Sequence, residues 1–220
     1  MDLDAVRQNT KELLASLPQG VTLVAAGKTR TVEELRAAVE AGVRIIGHNY
    51  VQEAERCIES LGRDIRWHCI GHLQRNKAKK AAQLFDMIET VDGMKIAAAL
   101  DRACAALDKV MPVLVEVNSA EEENKSGALP DDVAALVKEL AALEHLKVEG
   151  LMTMGPWTED PEEVRPYLRR TKELFDQLSV GGTPNVEMRY LSMGMSDSYL
   201  VAIEEGANLV RIGTRLFGPR

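Results

Sequence analysis

Eight short apolar runs alternate with longer segments of helical period along the 220 residues, and this alternation limits the possible folds more than any other feature. The runs are Val21–Ala26, Arg44–Gly47, Arg66–Ile70, Met87–Val91, Pro112–Val117, Val148–Thr153, Tyr190–Met193 and Leu209–Ile212. They have strand length and favour β-branched residues, as strands buried on both faces do. A helical pattern or its remnant separates each pair, so neighbouring strands pair in parallel. A further helix, residues 4 to 16, precedes the first run. Eight βα units fit a doubly wound open sheet or a closed barrel, and the barrel is favoured because eight strands close a wall without leaving an edge. The expected class is α/β, a single (β/α)8 TIM barrel over residues 1–220 with an extra N-terminal helix.

Helix signals support this reading. Thr31 with Glu34 three residues on forms a capping-box pattern for a helix over Val32–Glu40, and Gly42 follows its last turn. Pro130-Asp-Asp-Val and Asp160-Pro-Glu-Glu open two more helices, and residues 197 to 205 form another that closes on Gly206. No Pro/Gly linker divides the chain into domains.

Charge and composition exclude several classes. A net charge of −7 speaks against nucleic acid and anionic membranes as partners. The opening MDLDAVRQNT lacks the apolar core of a secretory signal, and no apolar run reaches membrane-spanning length, so a cytoplasmic protein is expected. Cys57, Cys69 and Cys104 lack a CxxC pair and read as small core residues.

In a barrel the active face is built by the loops after the strands. Those loops are small and polar: Gly27-Lys28-Thr29, His48-Asn49-Tyr50, Gly71-His72-Leu73-Gln74, Asn118, Thr153-Met154-Gly155, Ser192 to Asp197, and Gly213-Thr214. The last two, LSMGMSDSY and VRIGTRLFG, combine hydroxyls, glycines and backbone N–H groups, which suits an anion site. Helix capping by the serines and close packing at Gly213 is the competing reading; the barrel tips the balance to phosphate. Arg211 faces the same side as Gly213, ready for a ring nitrogen, a carboxylate or a structural acid.

VTLVAAGKTR ends its apolar run in an amine. Lys28 alone could be an ordinary loop lysine. With a phosphate site beyond strands seven and eight, barrel closure brings it beside the same ligand. An amine facing a phosphorylated aldehyde suits a Schiff base, and pyridoxal 5'-phosphate is the aldehyde cofactor that also needs a phosphate site.

Six segments, AGKTRTVEEL, GHNYVQEA, WHCIGHLQRNK, VNSAEEENKSG, LSMGMSDSY and VRIGTRLFG, resemble in order and spacing the pyridoxal phosphate homeostasis proteins, the YggS/PROSC family. The resemblance implies an alanine racemase-like barrel of the kind termed PLP fold type III, without that enzyme's C-terminal β-domain. It implies a Schiff base on Lys28, Asn49 near the cofactor, and Ser192, Ser196, Gly213 and Thr214 around the phosphate. Arg211 would then face the pyridine nitrogen. Glu122 and Lys125 match a charged pair near the site, and Tyr50, His72 and Met193 are further candidate contacts or loop and pocket packing. Three departures stand out: Gly27 where serine is usual, His48 where glutamate is usual, and Arg215 where a small residue is usual. His48 is expected to alter the charge at the mouth and Arg215 to add a phosphate contact, unless both are neutral.

The implied role is binding, protection and delivery of pyridoxal phosphate, extending to other B6 vitamers, with apo-enzymes as recipients and a monomeric state. The alternative is a PLP-dependent amino-acid racemase or decarboxylase. Alanine racemases take a second acid/base tyrosine from the C-terminal domain that this chain is expected to lack, and an arginine at the ring nitrogen weakens the electron sink. No catalytic residue and no metal is therefore assigned. His68 and His72, four apart at a strand end, make a poor metal pair; His68 is expected to pack with Trp67.

Overall fold

The computed structural model describes residues 2–219. Among them the strands are β1 (Thr22–Ala26), β2 (Ile45–His48), β3 (Arg66–Cys69), β4 (Met87–Val91), β5 (Met111–Glu116), β6 (Leu146–Met152), β7 (Val186–Ser192) and β8 (Leu209–Ile212). All pair in parallel in sequence order, and β8 returns to β1 with Val24 opposite Arg211, closing the barrel. The helices are α1 (Leu3–Ser16), α2 (Val32–Glu40), α3 (Val51–Leu61), α4 (Ala78–Leu84), α5 (Met94–Ala105), α6 (Val133–Leu140), α7 (Arg165–Ser179), α8 (Tyr199–Glu204) and α9 (Thr214–Phe217).

Alternation along the strands separates two apolar regions. Val24, Ile45, Ile70, Met87, Leu114, Met152 and Leu209 fill the barrel. Leu23, Ile46, Trp67, Ile88, Val113, Leu151 and Val210 point the other way and pack beneath the helices. The α2 box forms as its residues dictate: Thr31 Oγ1 accepts from the Glu34 amide at 3.2 Å and Glu34 Oε2 accepts from the Thr31 amide at 2.8 Å. Such a cap contributes roughly 1 kcal/mol.

Most strand boundaries shift by one or two residues from the expected ones, and the largest shift is at β7. β7 starts at Val186 rather than Tyr190, because Glu187 and Arg189 are exposed on a strand whose first half is open to solvent. The last long loop turns through Asp197 and Ser198 before α8 begins at Tyr199. The helices expected at Pro130 and Pro161 each open with a 3-10 turn. The three cysteines are buried and unpaired. No described helix is long and apolar enough to cross a membrane.

Candidate functional site

The turn after β1 is held from several sides. The Gly27 amide donates to the Gly47 carbonyl at 2.8 Å, and the Arg30 amide donates back to the Gly27 carbonyl at 3.1 Å, looping the chain around Lys28 and Thr29. Thr29 takes φ 63°, a conformation that costs a β-branched residue on the order of 1–3 kcal/mol. Arg30 anchors the turn by donating to the carbonyls of Phe217 (3.2 Å) and Gly218 (2.6 Å). Lys28 is thus presented from a fixed backbone; its Nζ lies 5.8 Å from the centre of the Tyr50 ring. Next to it, half-buried Asn49 packs on Gly71, where an added Cβ would fall 2.6 Å from the Asn49 Cα and carbonyl oxygen.

Across the β8–β1 seam, Ser196 Oγ accepts from the Gly213 and Arg215 amides, both at 3.4 Å. Gly213 is half-buried and Thr214 exposed, so this small cluster of N–H and hydroxyl groups opens to solvent. Because α9 has only four residues, the cluster draws little from a helix dipole; local donors make it.

Below this cluster runs a buried polar relay. Arg211, 4% exposed, donates through Nη1 to Ser192 Oγ at 2.6 Å and through Nη2 to the Thr153 carbonyl at 2.9 Å. Ser192 in turn donates to Glu89 Oε2 at 2.6 Å, and Glu89 Oε1 lies 2.7 Å from His68 Nδ1. Burial pushes the Glu89 carboxyl up, but the His68 hydrogen bond, with the charges of His68 and Arg211, outweighs it and keeps the pKa below normal. An ionised Glu89 accepts, so the His68 Nδ1 carries the hydrogen. Arg211 loses some basicity to burial and recovers part of it from Glu89 and Glu116; a guanidinium remains charged.

On the far side of the mouth is a cavity of about 170 Å³ lined by, among others, Asn49, His72, Glu116, Asn118, Lys125 and Thr153. Lys125 Nζ donates to Glu122 Oε1 at 2.6 Å and to the Gly155 carbonyl at 3.3 Å, so the expected charged pair ties the loops after β5 and β6 together. His72 stands at the rim against Asp92 (3.4 Å) and Ser126 (3.2 Å). Burial first, then Asp92, pushes the Glu116 carboxyl up to about 7, with Arg211 pulling the other way.

Several sequence expectations are corrected by side-chain direction. Ser192 does not stand beside Ser196 in the expected phosphate loop; as the last strand residue it points inward and is taken up by Glu89 and Arg211. Met193, one position on, faces outward into the helix-covered core and is not a pocket residue. His68 and Trp67 are strand neighbours and point to opposite faces, so they do not pack together; Trp67 stacks instead on His48, with ring centres 5.9 Å apart. His48 faces outward too, and burial lowers its pKa to about 4, so it adds no charge to the mouth at neutral pH. The Arg215 guanidinium lies over the Tyr199 ring, 5.2 Å from its centre, and only its amide meets Ser196.

Glu89 and Glu116 were missed as site residues. A signal was present in MIETV and VLVEVN, where a lone glutamate interrupts a buried strand and so requires a partner.

Residues 1–220 match the family described as alanine racemase, N-terminal domain. A pyridoxal phosphate homeostasis protein of Aquifex aeolicus is 42% identical over 199 residues, covering 90% of this chain and 86% of that one. The chain belongs to the pyridoxal phosphate homeostasis protein family. Its Schizosaccharomyces pombe relative is 36% identical over 222 residues, covering 99% of this chain and 91% of the other. Among solved structures, PipY of Synechococcus elongatus with PLP bound superposes with a TM-score of 0.88 at 32% identity, covering 97% of this chain and all (100%) of PipY. Alanine racemase from Clostridium difficile shares the barrel (TM-score 0.81, 18% identity), and this chain covers 56% of it. That likeness concerns the fold alone.

Proposed function

We propose that this member of the family binds pyridoxal 5'-phosphate and serves its homeostasis, holding the cofactor covalently on Lys28 and releasing it to apo-enzymes. The observation that carries the reading is the pairing of β1 with β8, which sets the Lys28 turn beside the Ser196, Gly213 and Arg215 donors. An amine and an anion cradle on adjacent strands match the two ends of a phosphorylated aldehyde. PipY, the 32% identical neighbour, is described with PLP bound, and the curated relatives carry the homeostasis name.

When bound, the cofactor supplies an aldehyde carbon that an amine can attack. The chain's own residues do the rest. Ser196 and the amides of Gly213 and Arg215 would hold the phosphate. Thr214 stands at the same loop, and Asn49, fixed by Gly71, would border the ring. Arg211 would face the ring nitrogen, and its guanidinium, charged throughout the physiological range, would leave that nitrogen unprotonated. Glu89 keeps that guanidinium paired and rigid. Such a site favours retention over turnover, in keeping with relatives named for homeostasis. The racemase alternative draws only on a fold shared at 18% identity.

Titration of the purified protein with pyridoxal phosphate, followed by visible absorption, tests the reading. Wild type gains a cofactor band and Lys28→Ala does not; an equal band in both overturns the Lys28 assignment.

A further inference from the structure

The cavity across the mouth from the phosphate loops is almost entirely satisfied by its own polar groups. Asn118 Nδ2 donates to the Glu122 carbonyl at 2.9 Å, and its Oδ1 accepts from the Glu122 amide at 3.2 Å. The Ser119 and Thr153 hydroxyls pair at 2.9 Å. Lys125 is engaged by Glu122, and Ser126 by His72. Among the buried side-chain atoms of its lining the exception is Glu116, which is 6% exposed and whose Oε2 has no hydrogen-bond partner among the described residues.

A buried carboxyl without a partner costs free energy unless something else supplies one. The nearby cations do not. Arg211 spends its terminal nitrogens on Ser192 and the Thr153 carbonyl, and its charge is balanced by Glu89. Lys125 sits on Glu122. The remaining charged neighbour that acts on Glu116 is Asp92, another acid, itself against His72. The wall therefore combines an unpaired acid with a deficit of free cations, opposite a loop cluster built for an anion.

We infer that this half of the mouth is a subsite for a small primary ammonium group, as in an amine or α-amino acid, with Glu116 as its anchor. An ammonium supplies the N–H donors that Oε2 lacks and a charge that matches the carboxylate. The cavity, about 170 Å³, admits a small molecule. The inference deepens the cofactor reading and rests on it only for its consequence, that the bound amine lies next to an aldehyde-bearing ligand.

Calorimetric titration of the apo-protein with ethylammonium chloride at pH 6 and pH 8 tests it. Ethylammonium keeps its charge at both values, so only the protein's ionisation changes. With Glu116 titrating at about 7, binding is expected to be about tenfold tighter at pH 8. The isosteric Glu116→Gln loses the binding, and tetramethylammonium, a cation without N–H donors, does not bind wild type. Equal affinity at the two pH values, no saturable binding, or undiminished binding to Glu116→Gln overturns the proposal. If Glu116→Gln does not fold, the wild-type pH ratio decides. Because the titration uses apo-protein, its failure is separable from that of the cofactor reading; Lys28→Ala retains ethylammonium binding while losing the cofactor.

Discussion

A Cβ added at Gly27 would fall 3.0 Å from Nε2 of His48, so these two residues share one small space beneath the Lys28 turn. The resemblance noted for this family places serine and glutamate at the same two positions, so the pair changes together here. Neither His48 ring nitrogen has a hydrogen-bond partner among the described residues, the Glu53 carboxylate lying 3.9 Å from Nδ1. A methyl at Gly27 overpacks the site, at a cost of about 1–3 kcal/mol, set against a gain below about 1 kcal/mol from a stiffer unfolded chain. A hydroxyl there meets the same crowding but gives the imidazole a donor, worth about 1 kcal/mol. Gly27→Ala is therefore expected to lower stability, and Gly27→Ser to lower it less; chemical denaturation of both variants checks the order.

Two buried groups give opposing pH dependences. His48 is held at about 4 in the fold, below its unfolded value of about 6.5, so its contribution is complete above about 6.5 and is lost as pH falls toward 4. Glu116 is held at about 7, above its unfolded value, so its contribution is complete below about 4.5 and is lost as pH rises through 7. Between about pH 4.5 and 6.5 these slopes oppose each other. Glu116→Gln removes one of them. The expected result is a stability that rises more steeply with pH in the variant than in wild type, by up to about 1.4 kcal/mol per pH unit; parallel melting-temperature profiles would show that Glu116 titrates normally.

Glu89 balances Arg211 inside the barrel. Glu89→Gln leaves a buried guanidinium without its counter-charge and is expected to cost about 3–5 kcal/mol. Ser192→Ala removes one acceptor from Arg211 and one donor from Glu89, at about 1–3 kcal/mol. By contrast Lys125→Ala breaks a half-exposed pair and is expected to cost under about 1 kcal/mol. Urea unfolding of the three variants should return that ranking.

Gly71 is required by the close approach of Asn49. A methyl there meets backbone at 2.6 Å, which no side-chain rotation relieves. Gly71→Ala should displace Asn49 and weaken pyridoxal phosphate binding at least tenfold while leaving the far-UV circular dichroism in place; unchanged affinity would remove Asn49 from the site.

Much of the fold was readable because strands buried on both faces leave unbroken apolar runs; β4 and β8 match their expected limits residue for residue. β7 was read four residues short, since Val186–Arg189 mixes exposed charges with partly buried apolar side chains. At the site, the loops following each strand were legible from their glycines and hydroxyls. Direction was harder: Ser192 and Ser196 are similar letters in one motif, yet one closes a strand and points into the barrel while the other follows Gly194, whose φ of 88° turns the chain toward the mouth. Glu89 and Glu116 carry no loop signal: they lie within β4 and β5, where a buried arginine finds its partners, and not in the turns that follow the strands.

The most direct measurement is borohydride reduction of the protein incubated with pyridoxal phosphate, followed by peptide mass mapping. The account predicts one stable pyridoxyl adduct on Lys28, abolished in Lys28→Ala and reduced by loss of the Ser196 hydroxyl. An adduct spread over surface lysines, or none on Lys28, would contradict it.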